Sequence, residues 1–260
     1  MGSRPASWYE ELEPPPALAE FIDRLWAQGI GDADGEGEAI YDQPVLPDGA
    51  LDVVAVDDHV ILAGPATRTT TVELAPGALT VGVRFRPGAA PGLVGASAAD
   101  LRDLDVPLAD LWGPDGAVIA ERTVEATGWQ ARLQALVRGL IDRLGDARAP
   151  DPVGVGIAPL LADQPGRPLT AIAEDVGLSE RQLRRRVEDA VGLPPRTLAR
   201  ILRFQRFLRA ARAAGPGRHL ARLAADAGYA DQAHLTRESR DLTGLPPAAL
   251  LTWEDNRLQR

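Results

Sequence analysis

The chain has 260 residues with 37 Asp and Glu, 28 basic residues and no cysteine. Lack of cysteine excludes disulfides, thiolate zinc sites and Cys nucleophiles. No apolar stretch approaches the roughly 20 residues of a membrane helix, and no basic segment followed by an apolar run opens the sequence, so a soluble cytoplasmic protein with no membrane partner is expected. Residues 1–150 hold 24 acidic against 11 basic side chains, and residues 151–260 hold 13 against 17. The length suits two modest domains, and the charge split puts them at 1–150 and 151–260 with different partners. Every basic residue is Arg, which coding bias explains as readily as phosphate chemistry.

In chain order, Pro14-Pro-Pro16 stops any early helix, and Ala17 to Trp26 carries apolar residues at helical or short-strand spacing. Gly29 to Gly37 is Gly- and Asp-rich and reads as a loop. From Tyr41 to Arg86 the texture becomes β-branched runs, at 50–56, 59–62, 69–74 and 78–86. Asp57-Asp58 suits a tight hairpin turn and Pro76-Gly77 another. Short strands so closely spaced predict a small antiparallel barrel or sandwich. A short helix is expected over Ala98 to Leu104, then helices over Pro114 to Thr127 and Trp129 to Leu144, and a Pro-rich linker within Gly145 to Gly166.

This acidic half has one histidine, His59, so a multi-His metal cluster cannot be built from it. Neither a metal nor a cofactor is expected. Asp48 with Asp52, or Asp57-Asp58, could do acid–base work, but a turn or solvated-surface role is the simpler reading. Arg84 and Arg86 lie two apart on one predicted strand and share a face. They are the ligand-site candidates, as an anion site, against the simpler reading of a surface or salt-bridge role.

The basic half reads as one helical unit written twice. Leu169, Ala173 and Gly177 recur at an offset of 51 as Leu220, Ala224 and Gly228, while Gly192-Leu-Pro-Pro195 recurs at 52 as Gly244-Leu-Pro-Pro247. A helix, a Gly-containing turn and a second helix, repeated, is the sequence form of two helix-turn-helix units. In the first, Leu169, Ile172, Ala173 and Val176 form the inner face, and Ser179 with Gln182 caps the next helix. There Leu183 and Val187 point inward, so Arg181, Arg184 and Arg185 project on the face that a recognition helix lays in a major groove. A long helix from Arg196 to Ala214 then holds the two units apart, with Arg196, Arg200 and Arg203 as candidate phosphate contacts. In the second unit Asp231 caps a helix whose exposed positions include Gln232, His234, Thr236 and Arg237. Gln can pair adenine and Arg guanine bidentately.

These segments, above all Ile172 to Val187 and Ala224 to Arg237 followed by Gly244-Leu-Pro-Pro247, resemble the C-terminal DNA-binding domain of the AraC/XylS transcription regulators. The resemblance implies promoter binding by two helix-turn-helix motifs. Its base-facing residues would be Arg181, Arg184 and Arg185, flanked by Ser179 and Gln182, and in the second helix Gln232, His234 and Arg237. The family usually has aromatics where Val187 and Ser239 stand, and a Ser in such a slot forgoes roughly 1.5–3 kcal/mol of apolar burial. The stretches Leu46-Pro-Asp-Gly49, Gly64-Pro65, Val81 to Ala90 and Val106 to Gly113 are similar to a domain found ahead of such regulators. That similarity implies a cupin-like effector or dimerisation module.

The expected fold is therefore α+β: an N-terminal β-rich, cupin-like barrel with flanking helices, then an all-α double helix-turn-helix domain. The expected function is a sequence-specific regulator and not an enzyme; alkylation-repair proteins that carry this domain need a reactive Cys, and there is none. The alternative is a ligand-independent architectural or anti-regulatory DNA-binding protein. Double-stranded promoter DNA is the expected partner, while RNA polymerase, an unidentified small-molecule effector and a homodimer remain open.

Overall fold

The computed structural model describes residues 7–31, 41–164, 166–215 and 217–258, with side chains as far as Trp253. Part of the expected loop, 32–37, and Pro165 of the expected linker lie outside the described residues.

Among the described residues eight strands make two antiparallel sheets: β1 Trp8–Leu12, β2 Ile22–Gly29, β3 Tyr41–Val45, β4 Asp52–Val56, β5 His59–Ala63, β6 Thr70–Leu74, β7 Leu79–Phe85 and β8 Asp105–Pro107. One sheet runs β1-β2-β7-β4-β5-β8 and the other pairs β3 with β6. Alternation decides its faces. Leu25, Ala27, Val53, Ala55, Val60, Leu62, Val81, Val83 and Phe85 are all buried in a single apolar cluster with Leu133, Leu136 and Leu140. Arg24, Trp26, Asp52, Gly82 and Arg84 alternate with them. Trp26 lies across Gly82, where any Cβ would come within 2.2 Å of the indole. Gln28 and Gln43 bond side chain to side chain and tie the two sheets together.

Asp57-Asp58 does form the two-residue turn between β4 and β5, with Val56 opposite His59. Asp57 sits at φ +51, which Asp tolerates better than most residues. Pro76-Gly77 also turns, but it joins β6 of one sheet to β7 of the other, so it is not a hairpin. Ala17 to Trp26 resolves into a short 3-10 turn, Pro16–Leu18, and the start of β2. The expected helix at Ala98 is a 3-10 turn ending at Leu101, after which the chain adds edge strand β8 to β5.

Helices α1 Ala90–Val94, α2 Leu108–Trp112, α3 Pro114–Glu125 and α4 Trp129–Asp142 complete this half. The supposed linker holds a helix, α5 Pro152–Asp163, despite Pro159 within it. Asp151 caps it, and Ile157, Ala158 and Leu161 are buried in a second cluster. That burial offsets the one backbone bond that Pro159 removes. The remaining helices are α6 Leu169–Asp175, α7 Glu180–Val191, α8 Pro195–Ala214, α9 Leu220–Asp226, α10 Gln232–Thr243 and α11 Pro247–Leu258. All six meet in the second cluster around α8, whose Leu198, Ile201, Phe204, Phe207 and Leu208 are fully buried. Each Phe contributes about 1.5–3 kcal/mol by leaving water, and the two fix both helical units to one spacer.

Candidate nucleic-acid interface

In the first unit α6 ends at Asp175, and Gly177 turns the chain at φ +67. Val176, expected inside, is 44% exposed because it already belongs to that turn. Ser179 then caps α7 with both halves of a capping box: its hydroxyl accepts from the Gln182 N–H, and the Gln182 side chain accepts from the Ser179 N–H at 2.9 Å. The oxygen of Gln182 is therefore spent on the cap. With Leu183, Val187, Ala190 and Val191 buried, Arg181 and Arg185 stand on the outer face, exposed and in no ion pair among the described residues. Arg184 folds back on Glu180, an i,i+4 surface pair of the kind worth little against a phosphate or a base edge.

The second unit repeats this geometry. Gly228 turns the chain at φ +89, and Asp231 caps α10 by accepting the His234 N–H at 2.6 Å. Leu235, Glu238, Ser239 and Leu242 are buried. Gln232 and Arg237 are exposed, whereas Thr236 returns its hydroxyl to the Gln232 carbonyl at 2.8 Å. His234 is half-buried, edge-on to the ring of Tyr229 with centroids 5.2 Å apart. Ser239, in the slot where the resemblance leads one to expect an aromatic, is fully buried, and its hydroxyl donates to the Leu245 carbonyl at 2.7 Å.

The phosphate candidates on α8 divide. Arg196 is exposed at the first turn. Arg200 and Arg203 are engaged within the protein: both pair with Glu238, at N···O distances of 3.2 and 2.8 Å, and Arg200, still 42% exposed, reaches Asp241 as well. Glu238 was not among the expected site residues. Its signal was present, a Glu three positions after Leu235 and four before Leu242, on the stripe that must face the core.

The two ligand-anion candidates are engaged within the protein as well. Arg84 is held by Asp52 at 2.9 Å and Asp48 at 3.0 Å, which leaves no net positive charge for an anion. Burial alone would lower its pKa, but the two carboxylates outweigh this and raise it; Asp48 is itself pushed above the usual carboxylate range by burial and by Asp52. Arg86 lies just past β7 and donates to the Ala19 carbonyl at 2.7 Å, so the two do not converge. Among the described residues no cluster of His, Asp and Glu could hold a metal ion, and no helix is long and apolar enough to cross a membrane.

The β-rich half reaches the C-terminal ends of both outer-facing helices. Ser97 donates to the Asp189 carbonyl at 3.4 Å, and Arg102 donates to the Gly192 carbonyl at the end of α7. The Thr69 N–H donates to the Leu242 carbonyl of α10 at 2.8 Å. Between these points the Gln205 side chain of α8 donates to the Pro47 carbonyl at 2.6 Å.

Residues 10–107 match a domain of unknown function, DUF6597, and residues 160–252 match a helix-turn-helix domain. No curated protein matches the sequence. Among solved structures, ToxT from Vibrio cholerae is similar over 83% of this chain and 97% of its own, at 12% identity and a TM-score of 0.47. With two capped, glycine-turned units on one spacer helix, residues 160–252 are an AraC-type helix-turn-helix domain, the DNA-binding part of a transcription regulator.

Proposed function

We propose that residues 151–260 read promoter DNA with two helices, α7 and α10, in successive major-groove segments, and that residues 1–150 form the controlling domain. The observation that carries this reading is the matched outer face of the two helices. Arg181 and Arg185 on α7, and Gln232 and Arg237 on α10, are exposed at helical spacing opposite a buried stripe. Arg184, Ser179, Gln182, His234 and Thr236 flank these groups and Arg196 reaches for a phosphate. The 20 residues of α8 span about 30 Å, close to the roughly 34 Å between groove segments one DNA turn apart. Regulation, with no chemistry on a substrate, is the activity.

Control by residues 1–150 would run through their contacts with the ends of α7 and α10. A small-molecule effector or a second subunit loading the β-rich half would act on DNA affinity through that route, in the cytoplasm and beside RNA polymerase.

The test is selection of duplexes from a random library by the full chain, followed by affinity measurements at several salt concentrations. Binding should prefer the enriched sequence over random DNA and weaken steeply with salt, each neutralised phosphate adding roughly 0.9 to the log–log slope. Arg185→Ala should cost about 1–3 kcal/mol on the enriched sequence and less on random DNA. Equal losses on both would refute base reading by Arg185.

A further inference from the structure

A carboxylate only 4% exposed in the middle of α10 is costly to bury unless it is paired and hydrogen-bonded. Glu238 is bound from two other elements at once, with a residue of its own helix beside it. From α8, Arg203 chelates it with Nη2 at 3.0 and 2.8 Å and Nε at 3.2 Å, and Arg200 Nε approaches at 3.2 Å. From the turn, the Tyr229 hydroxyl donates to it at 2.9 Å, and the Arg203 guanidinium lies over the Tyr229 ring at 4.8 Å from the centroid. From α10 itself, one turn toward the N-terminus, His234 Nε2 stands 4.0 Å away while its ring rests edge-on against Tyr229.

The Glu238 carboxylate is therefore the point at which spacer helix, turn and second outer-facing helix are locked in register. Leu235 and Leu242 hold α10 against the core without directional preference. A chelated carboxylate does have direction, because rotating α10 by even a fraction of a turn breaks the paired bonds from Arg203. His234 packs edge-on against Tyr229 and stands on the same helix as the exposed Gln232 and Arg237.

We propose that Glu238 is a positioning residue for DNA recognition: through Arg203, Tyr229 and His234 it sets the rotation of α10, and with it the sequence preference of the second helix-turn-helix. This rests on the reading of α10 as a base-reading helix.

Duplexes of about 30 bp, long enough for two segments a helical turn apart, are enriched from a random library by the wild-type full chain and by Glu238→Gln. The side-chain shape is kept and the charge is removed. The expected result is that base preference in the second segment flattens about tenfold while preference in the first segment is kept, at a temperature where both chains are folded. Arg203→Lys, which keeps the cation and loses the fork, should flatten the same segment to a smaller degree, and it decides the matter if Glu238→Gln does not fold. Unchanged preference in the second segment, or equal flattening in both, overturns the proposal and leaves Glu238 a contributor to stability alone. A wild-type chain that enriches only the first segment overturns the base-reading role of α10, and the proposal with it.

Discussion

Arg186 of α7 holds Asp151, the cap of α5, through two parallel bonds, with Nε 2.8 Å from one carboxylate oxygen. The same carboxylate accepts the Val153 N–H at 3.0 Å, so one side chain both starts α5 and fixes α7 against it. Asp151→Ala should cost about 1–2 kcal/mol through the lost cap alone. Burial would raise the Asp151 pKa, but Arg186 and the cap bonds outweigh burial and lower it. The stabilisation is thus full above the ordinary carboxylate range and is lost as pH falls through the depressed value. Asp151→Asn, which keeps a capping oxygen, should remove that acid-side loss; denaturant melts from neutral pH down to acid pH check it.

Gly192 and Gly244 end α7 and α10 in the same left-handed conformation, at φ +81 and +74. Their surroundings differ. A Cβ on Gly192 would lie 2.4 Å from Pro65 and 2.5 Å from the Ala98 carbonyl oxygen, whereas one on Gly244 meets nothing within 4 Å. Gly244→Ala should therefore cost about 1 kcal/mol, the conformational penalty alone. Gly192→Ala should cost about 1–3 kcal/mol more by overpacking the junction between the halves. Urea unfolding of the two variants, side by side, measures the difference.

Arg84 neutralises two carboxylates that burial and mutual repulsion would otherwise penalise. Arg84→Ala should cost about 3 kcal/mol at neutral pH, at the low end for a broken, partly screened buried pair. Without the guanidinium the pKa of Asp48, already held above the usual carboxylate range by burial, rises further. The folded chain then takes up a proton more readily, and the lost stability returns as pH falls through that raised value. A melting temperature for the variant that climbs between pH 7 and pH 5, relative to the parent, is the expected result; a parallel fall in both would count against it.

Ser239 is satisfied by the Leu245 carbonyl, which also accepts the Thr243 hydroxyl at 3.2 Å. Ser239→Ala should cost only about 1 kcal/mol and leave DNA affinity nearly intact, because the polar group lies behind α10 and its loss opens no large void. A phenylalanine there should cost about 1–3 kcal/mol by overpacking. Thermal melts and DNA titrations of both variants report the two effects separately.

Both helix-turn-helix units were legible in the sequence because their signals are local. Gly177 and Gly228 are needed for left-handed turns, Ser179 and Asp231 cap the next helix within three residues, and the apolar stripes follow a 3.6-residue period. The linker was misread because prolines at 152 and 159 look like breakers. Pro152 in fact sits where a helix begins, and burial of Ile157 and Leu161 outweighs Pro159. The strands at β1 and β8 were missed because each is short and lies at a sheet edge, where little burial writes a pattern into the sequence.

The sequence by itself determined where α7 and α10 begin and end and which of their residues face outward, since caps, turns and periodicity act within a few positions of each other. Only the tertiary structure decided which arginines are free. Arg181 and Arg185 stand in solvent, while Arg84, Arg186 and Arg203 are spent on carboxylates 32, 35 and 35 positions away. Charge pairing depends on distance in space, which residue spacing along the chain does not encode.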